Sequence, residues 1–120
     1  MKKINFLFIL ILFLIALACS ETEYVDNKPQ LEIQVVDSEN NLIEQAQVCL
    51  YDSETDWAKR TNAISELITN EQGIVLFEEL DTKQYYFFVE KESLTNLFDI
   101  YTHTKPLEIN VISQIKTKIK

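Results

Sequence analysis

The sequence predicts an all-β protein, an antiparallel β-sandwich of about seven strands with Greek-key connections. Three observations lead to this fold class. Apolar and polar residues alternate through much of the chain after residue 30, which is the period of a strand with one buried face. Clusters of Asn, Asp and Ser separate these segments at short intervals. No amphipathic helical pattern of useful length follows residue 18, so strands must pack on strands.

Length and charge limit what this protein can be. The chain has 120 residues and a net charge of −8, which suits one domain with one core. Residues 1–18 contain two lysines and no acid, so the part from residue 19 onward carries nine basic and 19 acidic side chains, a net charge of −10. We expect no nucleic-acid partner, because such a chain has nothing to neutralise a row of phosphates.

The first 18 residues predict a signal peptide. Lys2 and Lys3 precede an unbroken apolar run of 13 residues, 6–18, which is shorter than the roughly 20 residues of a membrane-spanning helix. The run ends in Ala16-Leu17-Ala18-Cys19, which resembles the lipobox of bacterial lipoproteins. The resemblance implies cleavage before Cys19 and acylation of that residue, for example by palmitate. The alternatives are an ordinary secretory signal and an uncleaved anchor.

The domain boundaries follow from the predicted signal peptide. We expect a signal peptide over 1–18, a lipidated N-terminus and tether over 19–30, and one β domain over 31–120. Ser20-Glu21-Thr22-Glu23 resembles the signal that sends some Bacteroidota lipoproteins to the cell surface; a merely hydrophilic tether is the alternative. The expected location is therefore the outer membrane, with the domain exposed at the cell surface or else on the periplasmic face.

Each alternating segment predicts one strand. The first two strands are predicted at residues 31–35 and 46–50. Further strands are predicted at 64–69, 74–77, 85–89 and 107–119, and the last of these ranges forms one strand or two. Segment 85–89 is apolar on both faces, which places it inside a sheet. Only one glycine occurs in the chain, so Asn, Asp and Ser must form most of the turns.

Two segments between these strands are irregular. Residues 52–63 form a polar loop around Trp57, in which Ser53 is a candidate N-cap for one helical turn. Residues 92–106 form a stretch of a length that usually carries structure or function.

Several of these positions form a pattern typical of one family. Leu31-x-Ile33-x-Val35-x-Asp37 is followed by Ala46-x-Val48-x-Leu50-Tyr51 and then by Thr69-x-x-x-Gly73-x-Val75-x-Phe77-x-x-Leu80. Together they resemble the carboxypeptidase regulatory-like, or transthyretin-like (prealbumin-like), β-sandwich domain of Bacteroidota lipoproteins, over residues 31–120. Such a motif specifies a fold and no reaction. The residues expected to be critical for folding are Ala46, Val48, Leu50, Gly73, Val75, Phe77 and Leu80, with Gly73 at a turn position of positive φ.

Candidate chemistry is sparse. If Cys19 is acylated, Cys49 has no partner within the chain; we expect a small buried side chain, with a reactive or metal-binding thiol as the alternative. His103 is the only histidine, and no motif places a nucleophile beside it. Asp52-x-Glu54-x-Asp56 alternates like a calcium loop, but Trp57 stands where that loop needs glycine. We expect no catalytic residue, no metal and no cofactor.

The sequence therefore predicts a lipid-anchored envelope module without enzymatic activity, acting in protein interaction, adhesion or as an accessory to a membrane complex. The alternative is a lipoprotein that captures a glycan or peptide with the 52–63 and 92–106 loops, where Trp57 and Tyr101 would form an aromatic platform.

Overall fold

The computed structural model describes residues 26–120, which form two β-sheets packed face to face. The predicted all-β sandwich is confirmed. The signal peptide, Cys19 and the residues up to 25 lie outside the described part of the chain. The elements are β1 (Gln30–Val36), β2 (Gln47–Tyr51), α1 (Glu54–Lys59), β3 (Ser65–Ile68), β4 (Ile74–Phe77), β5 (Tyr86–Lys91), β6 (Leu94–Thr95) and β7 (Ile112–Lys118).

The two sheets differ in size. The three-stranded sheet has the order β4-β1-β7, and the four-stranded sheet has the order β3-β2-β5-β6. All neighbouring strands are antiparallel except β1 and β7, which run parallel from Gln30 opposite Ile112 to Val36 opposite Lys118. For this pair the expectation of antiparallel strands is wrong.

The direction of β7 follows from the segment before it. Leu107 donates its backbone N–H to the carbonyl oxygen of Lys83 at 3.0 Å, and Asn110 donates to that of Asn27 at 2.8 Å. These bonds return the chain to the end of the sandwich where β1 begins. A strand that starts there beside β1 has to run parallel to it, and a two-residue alternation carries no information on strand direction.

The core lies between the sheets and consists of the inward residues of the strands together with a few residues that flank them. Leu31 and Ile33 of β1, Phe87 of β5 and Ile119 beyond β7 are completely buried. The whole cluster comprises Leu31, Ile33, Val35, Ala46, Val48, Leu50, Val75, Phe77, Leu80, Tyr85, Phe87, Val89, Leu107 and Ile119. Alternation placed most of these side chains correctly, because burial on one face is what produces the two-residue period.

Gly73 lies where the turn before β4 meets β1. Its φ is +73°, and a Cβ atom there would stand 2.7 Å from the carbonyl oxygen of Val35 and 3.1 Å from the backbone nitrogen of Ile43. Val35 donates its N–H to the Gly73 carbonyl oxygen at 2.7 Å. Three backbone segments therefore approach each other at a position that has no room for a side chain.

Other turns use residues with side chains in the left-handed region. They are Asn40, Gln45, Arg60, Asn62, Glu79, Glu92 and Asn110. Asn takes this conformation more readily than most residues because its short side chain bonds locally. Asp and Ser take none of these positions in residues 26–120, so they form turns through their side chains instead: Asp37 accepts the N–H groups of Glu39 and Asn41, each at 2.9 Å.

The residues before β1 are attached to the domain. Asn27 donates its N–H to the side-chain oxygen of Asn110 at 2.7 Å, and Leu80 donates to the carbonyl oxygen of Pro29 at 3.1 Å. Pro29 is buried. Residues 26–30, which fall within the predicted tether, therefore belong structurally to the sandwich. Helix α1 has six residues, and no helix within residues 26–120 is long and apolar enough to cross a membrane.

Candidate binding surface

The edge of the four-stranded sheet is interrupted by a loop at residues 96–101, here called the apolar loop. Before the loop, β6 pairs with the end of β5. After it, the chain returns to the start of β5, where Phe87 donates its N–H to the Thr102 carbonyl oxygen at 2.9 Å and Thr104 donates to that of Tyr85 at 2.8 Å. The predicted irregular stretch 92–106 is thus an edge strand in two pieces, with an excursion between them.

Two polar side chains hold the apolar loop in place. The fully buried Asn96 accepts the Val89 N–H at 2.9 Å. On the opposite side, one carboxylate oxygen of Asp99 accepts the Thr117 hydroxyl at 2.8 Å and the Lys118 N–H at 2.9 Å. The loop therefore joins the edge strand of one sheet to that of the other, and its backbone is fixed at both ends.

The apolar side chains of the loop point into solvent. Phe98 is 75% exposed and Ile100 is 78% exposed, and Leu97 and Tyr101 are about half exposed. Single exposed apolar residues are ordinary, but a contiguous set of them marks an interaction surface. Because Asn96 and Asp99 fix the backbone, this exposure belongs to a structured loop.

A groove of about 530 Å³ runs beside the apolar loop, between residues 103–107 and the edge of β7. Its apolar lining comes from both sides. The lining residues are Gln84, Ile100, Tyr101, His103, Thr104, Lys105, Pro106, Leu107, Ser113, Gln114 and Ile115. Tyr101, chosen from the sequence as half of an aromatic platform, lies in this groove.

The C-terminal segment that borders the groove is basic, whereas the rest of the described chain is acidic. Residues 99–120 contain four lysines and two acids, whereas residues 26–98 contain five basic and 15 acidic side chains. The four lysines, Lys105, Lys116, Lys118 and Lys120, are exposed. Within residues 26–120 the one ion pair is Lys83–Asp52, at 3.9 Å, so none of the four lysines forms an ion pair there.

Trp57, the other half of the expected platform, lies on the outer face of the four-stranded sheet. Its indole N–H donates to the Phe87 carbonyl oxygen at 3.0 Å. The Arg60 guanidinium lies 5.0 Å from its ring and 3.9 Å from that of Phe88. Ser53 caps α1 by accepting the Asp56 N–H at 3.1 Å, which fixes the helix that carries Trp57. The structure thus uses Trp57 to cover the sheet, and Trp57 does not line the groove that contains Tyr101.

Cys49 lies on the same outer face and is 7% exposed. Burial raises the pKa of its thiol to about 11, and the negative charges of Glu66 and Glu90 act in the same direction. Burial likewise raises the pKa of the neighbouring Tyr51. A protonated, covered thiol is a poor nucleophile and a poor metal ligand.

The remaining candidate groups are separated from one another. Asp52 faces Lys83, whereas Asp56 accepts a hydrogen bond from the Asn62 amide at 3.3 Å. His103 lies 6.0 Å from Tyr86, ring to ring. No group of three or more His, Cys, Asp or Glu side chains within residues 26–120 is placed to hold a metal ion.

Sequence reasoning did not single out Asn96, Phe98, Asp99 or Ile100. The available signal was the density of large apolar residues over 97–101, inside the irregular stretch between two predicted strands. Such a segment in a loop predicts exposure, whereas the same composition inside a periodic segment predicts burial.

Comparison with known proteins supports the fold. No protein-family model and no curated protein matches the sequence. BcpA, the major pilin subunit of Bacillus cereus, is similar in structure, with a TM-score of 0.51 and 15% identity over 78% of this chain and 30% of that chain. The TIE protein of Bacillus anthracis gives a TM-score of 0.48 and 19% identity over 77% of this chain and 16% of that chain.

The chain spans less than a third of either protein. At 15% identity the likeness to BcpA shows a shared β-sandwich architecture. The fold therefore defines this protein as a small β-sandwich domain.

Proposed function

We propose that this protein is a non-catalytic binding module of the cell envelope, anchored by a lipid on Cys19, that presents the apolar loop to a partner. One observation carries the proposal: the apolar loop and the N-terminal segment lie at opposite ends of β1. The strand begins at Gln30 opposite Ile112 and ends opposite Lys118, whose N–H is bonded to Asp99 of the loop.

The distances suit display away from a membrane. β1 has seven residues, which separate its ends by roughly 20 Å. If Cys19 is acylated, only residues 20–25 lie between it and the attached segment 26–30, a reach of at most about 21 Å. A domain held at that end would lie close to the bilayer, with the apolar loop on its far side.

Several observations support a binding role without catalysis. The buried, high-pKa thiol of Cys49 makes a poor nucleophile. The resemblance of residues 31–120 to transthyretin-like domains of Bacteroidota lipoproteins, and the fold shared with a pilin subunit, both accord with a structural or adhesive module. The outer-membrane location is supported by the lipobox-like residues before Cys19 and by the acidic residues after it.

Acyl labelling tests the anchor. The wild-type protein, expressed in a Gram-negative host with a palmitate analogue, should carry label and sediment with membranes, and Cys19→Ser should lose both properties. Persistence of Cys19→Ser in the membrane fraction would show that residues 6–18 act as an uncleaved anchor.

Site-specific photo-crosslinking tests the display surface. A crosslinker at residue 98 should give discrete adducts on intact cells, and Ile100→Ser should remove them. A crosslinker at residue 68, which replaces another exposed apolar side chain, is the matched control. Equal adducts at both positions, or none at residue 98, would exclude the apolar loop as the contact surface.

A second candidate function is capture of a peptide or glycan in the groove. It is favoured by the position of Tyr101, about half exposed at the groove wall. Tyr101→Ala should then weaken ligand binding while leaving the crosslinks from residue 98 in place.

A further inference from the structure

We infer that the exposed edge of β7 is a docking site for an extended peptide strand of a partner protein that alternates apolar and acidic residues. The inference rests on the proposed binding function and gives the chemistry of the partner. It concerns the groove beside the apolar loop and does not depend on how the chain is anchored.

The sandwich lacks a strand at this edge. The sheet that contains β7 has three strands and the facing sheet has four. Ile115 points into the sandwich, but it is only partly buried, whereas its partner Ile33 on β1 is completely buried. The groove opens beside Ile115 and Leu107. A further strand next to β7 would cover the partly buried Ile115.

The backbone of β7 offers hydrogen bonds on that side. Gln30 donates to the Val111 carbonyl oxygen at 3.2 Å, and Ile119 donates to that of Val36 at 2.9 Å. In a parallel ladder, every second residue of a strand directs its backbone N–H and carbonyl oxygen to the same neighbouring strand. Val111 and Ile119 bond to β1, so Ser113, Ile115 and Thr117 between them also direct their backbone groups toward β1. Gln114 and Lys116 therefore direct their backbone groups away from β1.

Part of this edge is already occupied. The Lys118 N–H is bonded to Asp99, and Lys120 exchanges two backbone hydrogen bonds with Thr95, at 3.0 and 3.3 Å. These contacts close the edge beyond residue 117. Within residues 26–120 no hydrogen bond engages the N–H of Gln114 or Lys116 on the outer side. The open stretch, 112–116, is as long as a typical short strand.

Charge complementarity selects the partner. Lys116 lies on the outer face of the open stretch and Lys118 lies just beyond it, whereas Lys105 lines the groove. Side chains of an added strand would alternate between the outer face, beside these lysines, and the apolar groove. Acidic residues suit the first position and apolar residues the second, because opposite charges on neighbouring strands stabilise pairing.

The same lysines disfavour a second copy of this chain as the occupant. Pairing two β7 edges would bring Lys116 and Lys118 of both copies together, and lysine on an edge strand is a common protection against self-association. The edge therefore suits a chemically different strand, as in recognition by strand addition.

The test uses the full-length protein in zwitterionic nanodiscs and a labelled synthetic peptide that alternates valine and glutamate. Fluorescence anisotropy should show binding, with empty nanodiscs as the blank. A peptide alternating valine and lysine should bind on the order of tenfold more weakly or less, because it repels the lysines. Equal affinities for the two peptides would overturn the inference.

Two further measurements test strand addition itself. The valine–glutamate peptide with N-methyl groups on the bonding edge should lose on the order of tenfold in affinity, because it cannot donate to β7. Gln114→Pro should cause a similar loss without removing a bond to β1, since the Gln114 N–H faces away from β1. Undiminished binding of the methylated peptide overturns the inference even if Gln114→Pro does not fold.

Charge reversal supplies the matched variants. Lys116→Glu should weaken binding several-fold in low salt, and Lys59→Glu, which changes an exposed charge in α1, should leave it unchanged. Self-association of the wild type that Gln114→Pro abolishes would show that the occupant is a second copy and would overturn the inference.

Discussion

The side-chain oxygen of Asn96 accepts a hydrogen bond from the backbone N–H of Val89 at 2.9 Å, in the position of a carbonyl oxygen of a neighbouring strand. The backbone N–H of Asn96 also donates to the Val89 carbonyl oxygen at 3.2 Å. The side-chain nitrogen of Asn96 donates to the Phe87 carbonyl oxygen at 3.4 Å. One side chain thus replaces part of an edge strand. Because the backbone groups of β5 keep their hydrogen bonds there, residues 97–101 are free to leave the sheet.

Asn96→Ala should destabilise the domain by about 1–3 kcal/mol, because it leaves the Val89 N–H buried without a partner. Urea unfolding measures this. Gln47→Ala is the control, since that side-chain amide bonds only to the exposed Glu66 carboxylate, and it should change stability by less than about 0.5 kcal/mol. Equal effects of the two variants would show that the Asn96 side chain does not support β5.

Gly73→Ala should destabilise the domain by about 2–4 kcal/mol, since it combines a disfavoured φ with displacement of backbone atoms. The nearest obstacle is the Val35 carbonyl oxygen, 2.7 Å from the new Cβ. Asn40 has a similar φ, +66°, at an exposed position. Asn40→Ala should therefore lower the free energy of unfolding by only about 1 kcal/mol. Thermal melting of both variants measures the difference, and a Gly73→Ala loss no larger than that of Asn40→Ala would contradict the close approach.

Cys49 should react slowly with thiol reagents in the native protein. With its pKa raised from about 9 to about 11, the thiol forms roughly a hundredfold less thiolate at pH 8 than an ordinary cysteine. Alkylation at pH 8, followed by mass spectrometry, should be fast only after denaturation. Thr82→Cys in a Cys49→Ala background is the exposed control. Similar native rates at the two positions would contradict both the burial and the raised pKa.

The same shift makes stability depend on pH in alkali. The folded pKa of Cys49 lies above the unfolded value, so the stabilising contribution of the protonated thiol is fully present below about pH 9 and is lost as the pH rises toward 11. Urea unfolding from pH 8 to pH 11 should show a steeper loss for the wild type than for Cys49→Ala. Parallel curves would show that the thiol titrates alike in both states.

Asp37 should titrate below its ordinary value of 3.8, because the N–H and side-chain amide of Asn41 and the N–H of Glu39 bond to its carboxylate and lower its pKa. The stabilising contribution of the turn is then present above about pH 3.8 and lost as the pH falls through the folded pKa. NMR titration of the Asp37 carboxyl carbon measures the midpoint. Asn41→Ala should raise it, and a wild-type midpoint of 3.8 or above would contradict the turn geometry.

The strand faces could be predicted from the sequence, whereas the end of the chain could be predicted only in part. Val75 and Phe77 share a buried face as their spacing indicates, and the doubly apolar β5 lies inside its sheet. Leu107, Ile109 and Val111 continue the alternation before β7, yet Ile109 and Val111 are exposed. Asn110 takes a φ of +62° there and pairs with Asn27, a contact between distant residues that no local pattern encodes.

The candidate binding surface was harder to predict for a related reason. The sequence predicts an irregular stretch at 92–106 and favours only Tyr101 within it, because no local pattern shows which side chains of a loop face solvent. The exposure of Phe98 and Ile100 depends on Asn96 and Asp99, whose partners on β5 and β7 are known only once the fold is known. Trp57 was identified as notable, but its partner, the Phe87 carbonyl oxygen, lies 30 residues away.

The parallel pairing of β1 with β7 joins strands from the two ends of the domain sequence. Glu32 and Gln114, joined by side chains across the two strands, are 82 residues apart in the chain. During synthesis, β1 emerges early and can pair only with β4 until β7 has been made. Contacts over such sequence distances form slowly. Until β7 pairs with it, β1 has a free hydrogen-bonding edge that other chains could pair with, so a chaperone would need to cover that edge.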